Sequence, residues 1–254
     1  MVSMRYHNKV VGDFEPLVKL LPPSAVASPL RSTVPLVDFW RTPESHLTQL
    51  SAAIGVALVP PIDLCFEFPV LVQRGRGKAS FTDLMIITKS AAVALEAKFT
   101  EPRSETVRTW LGRPPQMNRR EALEGWLALI RGASRTSLSV ADVKDLPYQL
   151  IHRTAAACSI SPPIPALVYQ VFFFGQDPPD HYRNDLSDLW RRLGRTAAIG
   201  FHVLRCPLNS LPAHEDLVKR WNQRDRHVGE AVRDALLAGP LFSFGEPASQ
   251  FLPR

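Results

Sequence analysis

Two carboxylates and an ammonium lie close together in one short part of the chain. Residues 81–100 read FTDLMIITKSAAVALEAKFT, with Asp83 on one apolar run, Glu96-Ala97-Lys98 on the next, and a Lys89-Ser90 turn between them. Each run has the length and the Val, Ile, Leu and Phe content of a strand, bounded by polar turn residues. Side chains alternate across a strand, so Glu96 and Lys98 share one face while Leu95, Ala97 and Phe99 take the other; Phe81, Asp83 and Met85 likewise share a face. Charges in an otherwise apolar sheet are costly unless they are compensated. A divalent metal would compensate them. Mg²⁺ takes hard oxygen ligands, needs only one or two protein carboxylates, and completes its shell with water and substrate phosphate. Asp83 and Glu96 are suitable ligands, and the Ala97 carbonyl oxygen could be a further one. Lys98 beside the ion could orient the attacking water or steady charge developing on phosphate. The chemistry expected of such a set is metal-assisted hydrolysis of a phosphodiester.

A hairpin with Asp on its first strand and Glu-x-Lys on its second resembles the PD-(D/E)xK nuclease superfamily. Thr82-Asp83 stands where that family usually has Pro-Asp, and the thirteen positions from Asp83 to Glu96 lie within the spacing the family allows. The resemblance covers roughly residues 40–175 as an order of elements, with about four motif-specific residues. It implies a restriction-endonuclease-like fold, Asp83 and Glu96 as metal ligands, and Lys98 as the catalytic lysine. The implied cofactor is Mg²⁺, with Mn²⁺ as a substitute, and the implied partner is DNA. The superfamily also suggests a setting in restriction or defence, and a homodimer or larger defence complex. Two other readings stay open: a catalytically silent nucleic-acid-binding or interaction module that kept the fold, and a non-nuclease α/β protein in which Lys98 simply pairs with Glu96 or Asp83.

The elements around the hairpin fit this order. Pro43 and Glu44 open a helix over HLTQLSAAIGVAL with Thr42 as its cap, ending before Pro60-Pro61. Residues 64–72 read as a strand, followed by the basic turn Gln73-Arg74-Gly75-Arg76-Gly77-Lys78, so that three strands form a meander. Family members often carry an extra acid on the first helix, which makes Glu44 a candidate; Glu67, inside the apolar strand 64–72, is its rival. Arg74, Arg76 and Lys78 are candidate phosphate contacts. A helix begins after Pro147, and on it Gln149 and Arg153 are four apart and project from one face. In several lineages of the superfamily the helix after the catalytic strand carries a Gln or basic residue that buttresses the site or contacts the scissile strand, so the resemblance implies such supporting roles for Gln149 and Arg153. His152 reads as a packed or surface histidine. Residues 164–175 read as a buried central strand, 181–193 as a helix capped by Asp180, 196–206 as a strand, and 213–238 as one long helix.

The expected class is therefore α/β, with a mixed central sheet flanked by helices and a helical insertion over about 101–146. That insertion holds seven arginines and four glutamates and reads first as a solvated face, second as a substrate clamp. Residues 1–42, rich in proline, are expected to be an extended arm, 43–240 the nuclease-like domain, and 241–254 an irregular tail. The 254 residues carry a net charge of +6, compatible with a polyanionic partner. Cys65, Cys158 and Cys206 are widely spaced without a Cys-x-x-Cys pair, which argues against a zinc site or a disulfide framework. With no signal-peptide pattern and no apolar run long enough to span a bilayer, the expectation is a cytoplasmic protein away from membranes.

Overall fold

The computed structural model describes residues 1–70, 80–160, 164–178 and 180–251. In chain order its elements are β1 (Val2–Tyr6), β2 (Lys9–Gly12), α1 (Phe14–Leu20), α2 (Thr33–Phe39), α3 (Pro43–Ile54), β3 (Ile62–Val70), β4 (Ser80–Ile87) and β5 (Ala91–Lys98). There follow α4 (Val107–Leu111), α5 (Met117–Ser134), α6 (Val140–Val143), α7 (Tyr148–Cys158), β6 (Ile164–Phe173), α8 (His181–Arg192), β7 (Gly200–Ser210), α9 (Pro212–Asn222), α10 (Val228–Ala238), β8 (Phe242–Phe244) and β9 (Ala248–Phe251). One mixed sheet runs β2-β1-β3-β4-β5-β6-β7-β8, with β9 also on β7. The β3-β4-β5 meander is antiparallel, and β5, β6 and β7 are parallel neighbours.

Helices cover both faces, as a sheet apolar on both sides demands. One core joins α1, α2, α3 and α10 to Leu64, Phe66, Leu84, Ile86, Val93 and Leu95. The opposite core joins α5, α7 and α8 to Cys65, Met85, Ala94, Leu167 and Val203. Every residue of β5 is buried. Its run of small residues lets α7, itself carrying buried Ala155, Ala156 and Ala157, lie close over β5 and β6.

Three expectations change. Residues 1–42 are not an extended arm: they supply β1, β2, α1 and α2, and they bury Leu17, Val18, Val26, Val37 and Trp40. Apolar residues between the prolines outweigh the prolines themselves, and Pro35 sits in the first turn of α2, where its missing N–H costs nothing. The predicted helix over 213–238 is two helices. The break holds Arg224 in the left-handed region at φ 61, and Asp225 binds both Arg220 and the His227 N–H there. Gly229 lets α10 approach the amino-terminal segment, since a Cβ would fall 2.5 Å from the Pro23 carbonyl oxygen. Finally, the segment after Pro240 is not wholly irregular, because Phe242–Phe244 and Ala248–Phe251 form β8 and β9, which both pair with β7.

Asp38 explains how that last segment is held. Its carboxylate accepts from the Leu241 and Phe242 N–H groups at 2.8 and 2.9 Å, and Arg41 bonds it from the other side at 2.9 Å. Each charge-assisted bond contributes about 1.5–3 kcal/mol. Asp38→Ala is expected to lower unfolding free energy by about 3 kcal/mol in urea titration and to expose the segment after Leu241 to protease. A loss under about 0.5 kcal/mol would show that this carboxylate is dispensable.

Candidate active site

The registered pairs of β4 and β5 run from Ile87 with Ala92 to Leu84 with Leu95. Continuing that register brings Asp83 opposite Glu96, and on the other side Asp83 stands opposite Glu67, between the pairs Phe66–Leu84 and Phe68–Thr82. Three acids thus form one row across three strands. Beyond Leu95 the Ala97 N–H donates to Asp83 Oδ2 at 2.9 Å, so a side chain takes an amide that the ladder would otherwise use. Glu67, at the end of this row, has φ 47, an uncommon backbone state for a residue with a side chain.

Alternation puts Asp83, Glu96 and Lys98 on the face of Met85 and Ala94, beneath α7. That helix brings two side chains down onto them. Lys98 Nζ donates to Glu96 Oε1 at 2.8 Å and to Gln149 Oε1 at 2.9 Å. Arg153 Nε donates to Glu96 Oε2, and Nη2 donates to Asp83 Oδ1 at 3.2 Å. Its Nη1 bonds the Phe81 carbonyl oxygen and lies 3.0 Å from His152 Nδ1. Because an arginine nitrogen can only donate, His152 Nδ1 is the acceptor and the ring proton belongs on Nε2. Burial and the neighbouring guanidinium both push His152 below its ordinary pKa, so it stays neutral.

The two acids are driven in opposite directions. Burial raises both. For Glu96, Arg153 and Lys98 together outweigh burial and hold the carboxyl below its usual range. For Asp83, burial is reinforced by the charge of Glu96 and then Glu67, and its pKa moves up despite Arg153 and Lys98. With a quarter of its side chain exposed against 3% for Glu96, Asp83 is the better solvated of the two. Lys98 and Arg153 are held protonated by the same carboxylates, against the effect of burial.

These groups form the floor of an open cleft of about 460 Å³. It brings together Asp83, Glu96, Ala97, Lys98, Gln149 and Arg153, six of the residues singled out from sequence. Glu44 is elsewhere. It lies exposed on the first turn of α3 and lines a separate hollow with Val2 and Ile62. Ile62 begins β3 whereas the acid row crosses at Glu67, about 16 Å further along the strand, so of the two candidate acids Glu67 is the one near Asp83 and Glu96. Arg74, Arg76 and Lys78 lie outside the described residues. Arg153 is buried among carboxylates, which makes it part of the floor of the cleft.

The opposite wall was missed. Arg31, Ser32 and Thr33 line it, joined there by Glu101 and Arg103. Glu101 accepts from the Ser32 N–H at 2.6 Å and the Phe99 N–H at 3.0 Å, and Thr100 Oγ1 donates to the Leu30 carbonyl at 2.8 Å. Those bonds fasten the amino-terminal segment to the end of β5. No motif surrounds Arg31, and only the fold brings it here.

A family model described as a domain of unknown function, DUF6946, matches residues 13–221. The chain belongs to the DUF6946 family. The DUF6946 match spans both walls of the cleft and all of the acid row. Comparison with curated proteins and with solved structures gives no match.

Among the described residues no three His, Cys, Asp or Glu side chains are grouped to hold a metal. Asp83, Glu96 and the Ala97 carbonyl would suit a hard cation that draws most of its ligands from water and phosphate, and each carboxylate oxygen keeps a second lone pair beyond its present bond.

Glu96 gives a pH test of this electrostatic picture. A carboxylate held low in the folded state contributes stability that is complete above its unfolded pKa, about 4.3, and is lost as pH falls through the depressed folded value. Urea unfolding of wild type and Glu96→Gln is expected to give a gap, roughly 3 kcal/mol at neutral pH, that is constant down to about pH 4 and shrinks below it. A gap that closes between about pH 7 and pH 5 would mean that Glu96 is not the low-pKa partner.

Proposed function

We propose that this protein is a Mg²⁺-dependent nuclease that hydrolyses DNA phosphodiester bonds, on a core of the restriction-endonuclease-like type. The observation that carries the reading is the meeting of Asp83 and Glu96, from adjacent strands, on one guanidinium, with Lys98 two residues on along the same face of an open cleft. When bound, Mg²⁺ supplies a Lewis acid and lowers the pKa of water at neutral pH. Asp83 and Glu96 would hold the ion, with the Ala97 carbonyl oxygen as a further ligand. Lys98, fixed between Glu96 and Gln149, carries a permanent positive charge at the cleft floor. That charge favours the extra negative charge that builds on phosphate oxygens in the transition state, and its ammonium protons can orient water for in-line attack. Gln149 holds Lys98 in place from α7. Arg31, exposed on the facing wall, is suited to a phosphate contact that positions the strand without reading its sequence.

A second reading has its own support. Lys98, Arg153 and the Ala97 N–H already give every oxygen of Asp83 and Glu96 a donor, and the two cations balance the two anions. A site satisfied this fully is compatible with a silent module that uses the cleft to bind a partner. Incubating linear, circular and single-stranded DNA with Mg²⁺, with Mn²⁺ and with chelator separates the two, since only the nuclease requires both the ion and strand breakage.

Asp83→Ala and Lys98→Ala are expected to reduce cleavage by at least about a hundredfold while the fold persists in thermal unfolding. Variants as active as wild type, or a wild type that cuts equally in excess chelator, would remove this site from the chemistry. For Arg31→Ala, DNA affinity across a salt series is expected to show a slope smaller by about one, with an unchanged slope ruling out the phosphate contact.

A further inference from the structure

We propose that Arg153 is an internal counter-ion that stands in for the charge of a divalent cation, and that such a cation binds by taking Asp83 and Glu96 over from it. The proposal rests on the reading of these two carboxylates as ligands of a divalent ion. Arg153 bonds one oxygen of each of the two carboxylates that would hold the ion. Both claims fall on the same two carboxylates, and a cation entering beside a guanidinium is repelled by it. With Lys98 also present, two positive and two negative charges already cancel in the free protein.

The geometry shows which contact yields. Asp83 is the exposed member of the cluster, with 25% of its side chain accessible against 3% for Glu96 and 8% for Arg153, so an ion arriving through the cleft meets Asp83 first. At 3.2 Å its bond to Arg153 is also a long one. On the far side the guanidinium has anchors that do not depend on Asp83: the Phe81 carbonyl oxygen and the neutral His152 Nδ1. Arg153 can therefore release Asp83 and remain bonded within the protein. The consequence is a weak affinity of the free protein for divalent ions, rising when a substrate phosphate brings negative charge and further oxygen ligands.

The test is Mn²⁺ affinity, by calorimetry on the full chain without nucleic acid, for wild type, Arg153→Gln and Arg153→Lys. Removing the competing charge is expected to tighten Mn²⁺ at least tenfold in Arg153→Gln. Arg153→Lys, with a single ammonium that cannot bridge both acids, should fall between. Adding Asp83→Asn to Arg153→Gln should abolish the gain. Thermal unfolding supplies a second readout that needs no activity: in chelator Arg153→Gln melts below wild type, and Mn²⁺ raises its melting temperature more than that of wild type. A merely structural arginine would predict weaker ion binding on substitution. Unchanged or weaker Mn²⁺ affinity in Arg153→Gln overturns the proposal; should that variant fail to fold, the same result in Arg153→Lys does so. Cleavage of linear DNA by wild type in Mg²⁺ separates the two claims. If it cuts and the variants gain no affinity, only the counter-ion role fails. If it does not cut while the variants do gain affinity, only the nuclease reading fails.

Discussion

A guanidinium buried between two carboxylates from adjacent strands is the constraint on which the arrangement around the cleft depends. Charges inside a protein are tolerated only when each is matched in place, because the desolvation of an unpaired ion outweighs any packing gained around it. Arg153, Lys98, Asp83 and Glu96 satisfy one another only if α7 holds a fixed distance and rotation over β4 and β5. Alanines on both surfaces permit that approach. The insertion between β5 and α7 then has a mechanical use: α5 buries Leu123, Trp126, Leu127 and Ile130 against the layer that contains α7. A segment whose composition suggested a solvated face is solvated on one side and a buttress on the other.

The same requirement accounts for where the polar groups sit along the sheet. The β4–β5 ladder is apolar and closed from Ala92 to Leu95, and the charges begin one step beyond, where Asp83 replaces a backbone acceptor for the Ala97 N–H. Glu67 with its positive φ lies at this level too. At this row the β4–β5 pairing ends, while β3–β4 pairing resumes beyond it to Val70–Ser80 and β5–β6 pairing runs on to Lys98–Val171. The far wall is tied on by Glu101, whose carboxylate spans the amides of Ser32 and Phe99, so the cleft has two walls from distant parts of the chain and one floor.

The extent of the sheet follows from the termini. β1 pairs parallel to β3, and β8 and β9 close over β7, so both ends of the chain fold onto the sheet that the meander begins. Asp38 links them, since a carboxylate on α2 caps two amides ahead of β8. The site therefore stands in the middle of a structure whose outer parts were the least legible in sequence.

The sequence by itself determined the local matters. The period of apolar residues and the turn signals mark the three-strand meander, α7 and the buried strand β6, and the alternation rule puts Glu96 and Lys98 on one face and Asp83 on the face of Met85. Those inferences need only nearest neighbours along the chain. It also separated Gln149 and Arg153 by one helical turn, so that both could face the sheet. Tertiary structure alone decided the rest. Whether Glu44 or Glu67 accompanies the acids depends on the position of a helix along a strand, which no local pattern encodes. Arg153 changed from a candidate substrate contact to a buried partner of both acids, because its burial depends on how α7 packs. The proline-rich beginning became part of the fold because its apolar residues found a surface made by β3, β8 and α10, and a surface of that kind exists only once distant segments have come together.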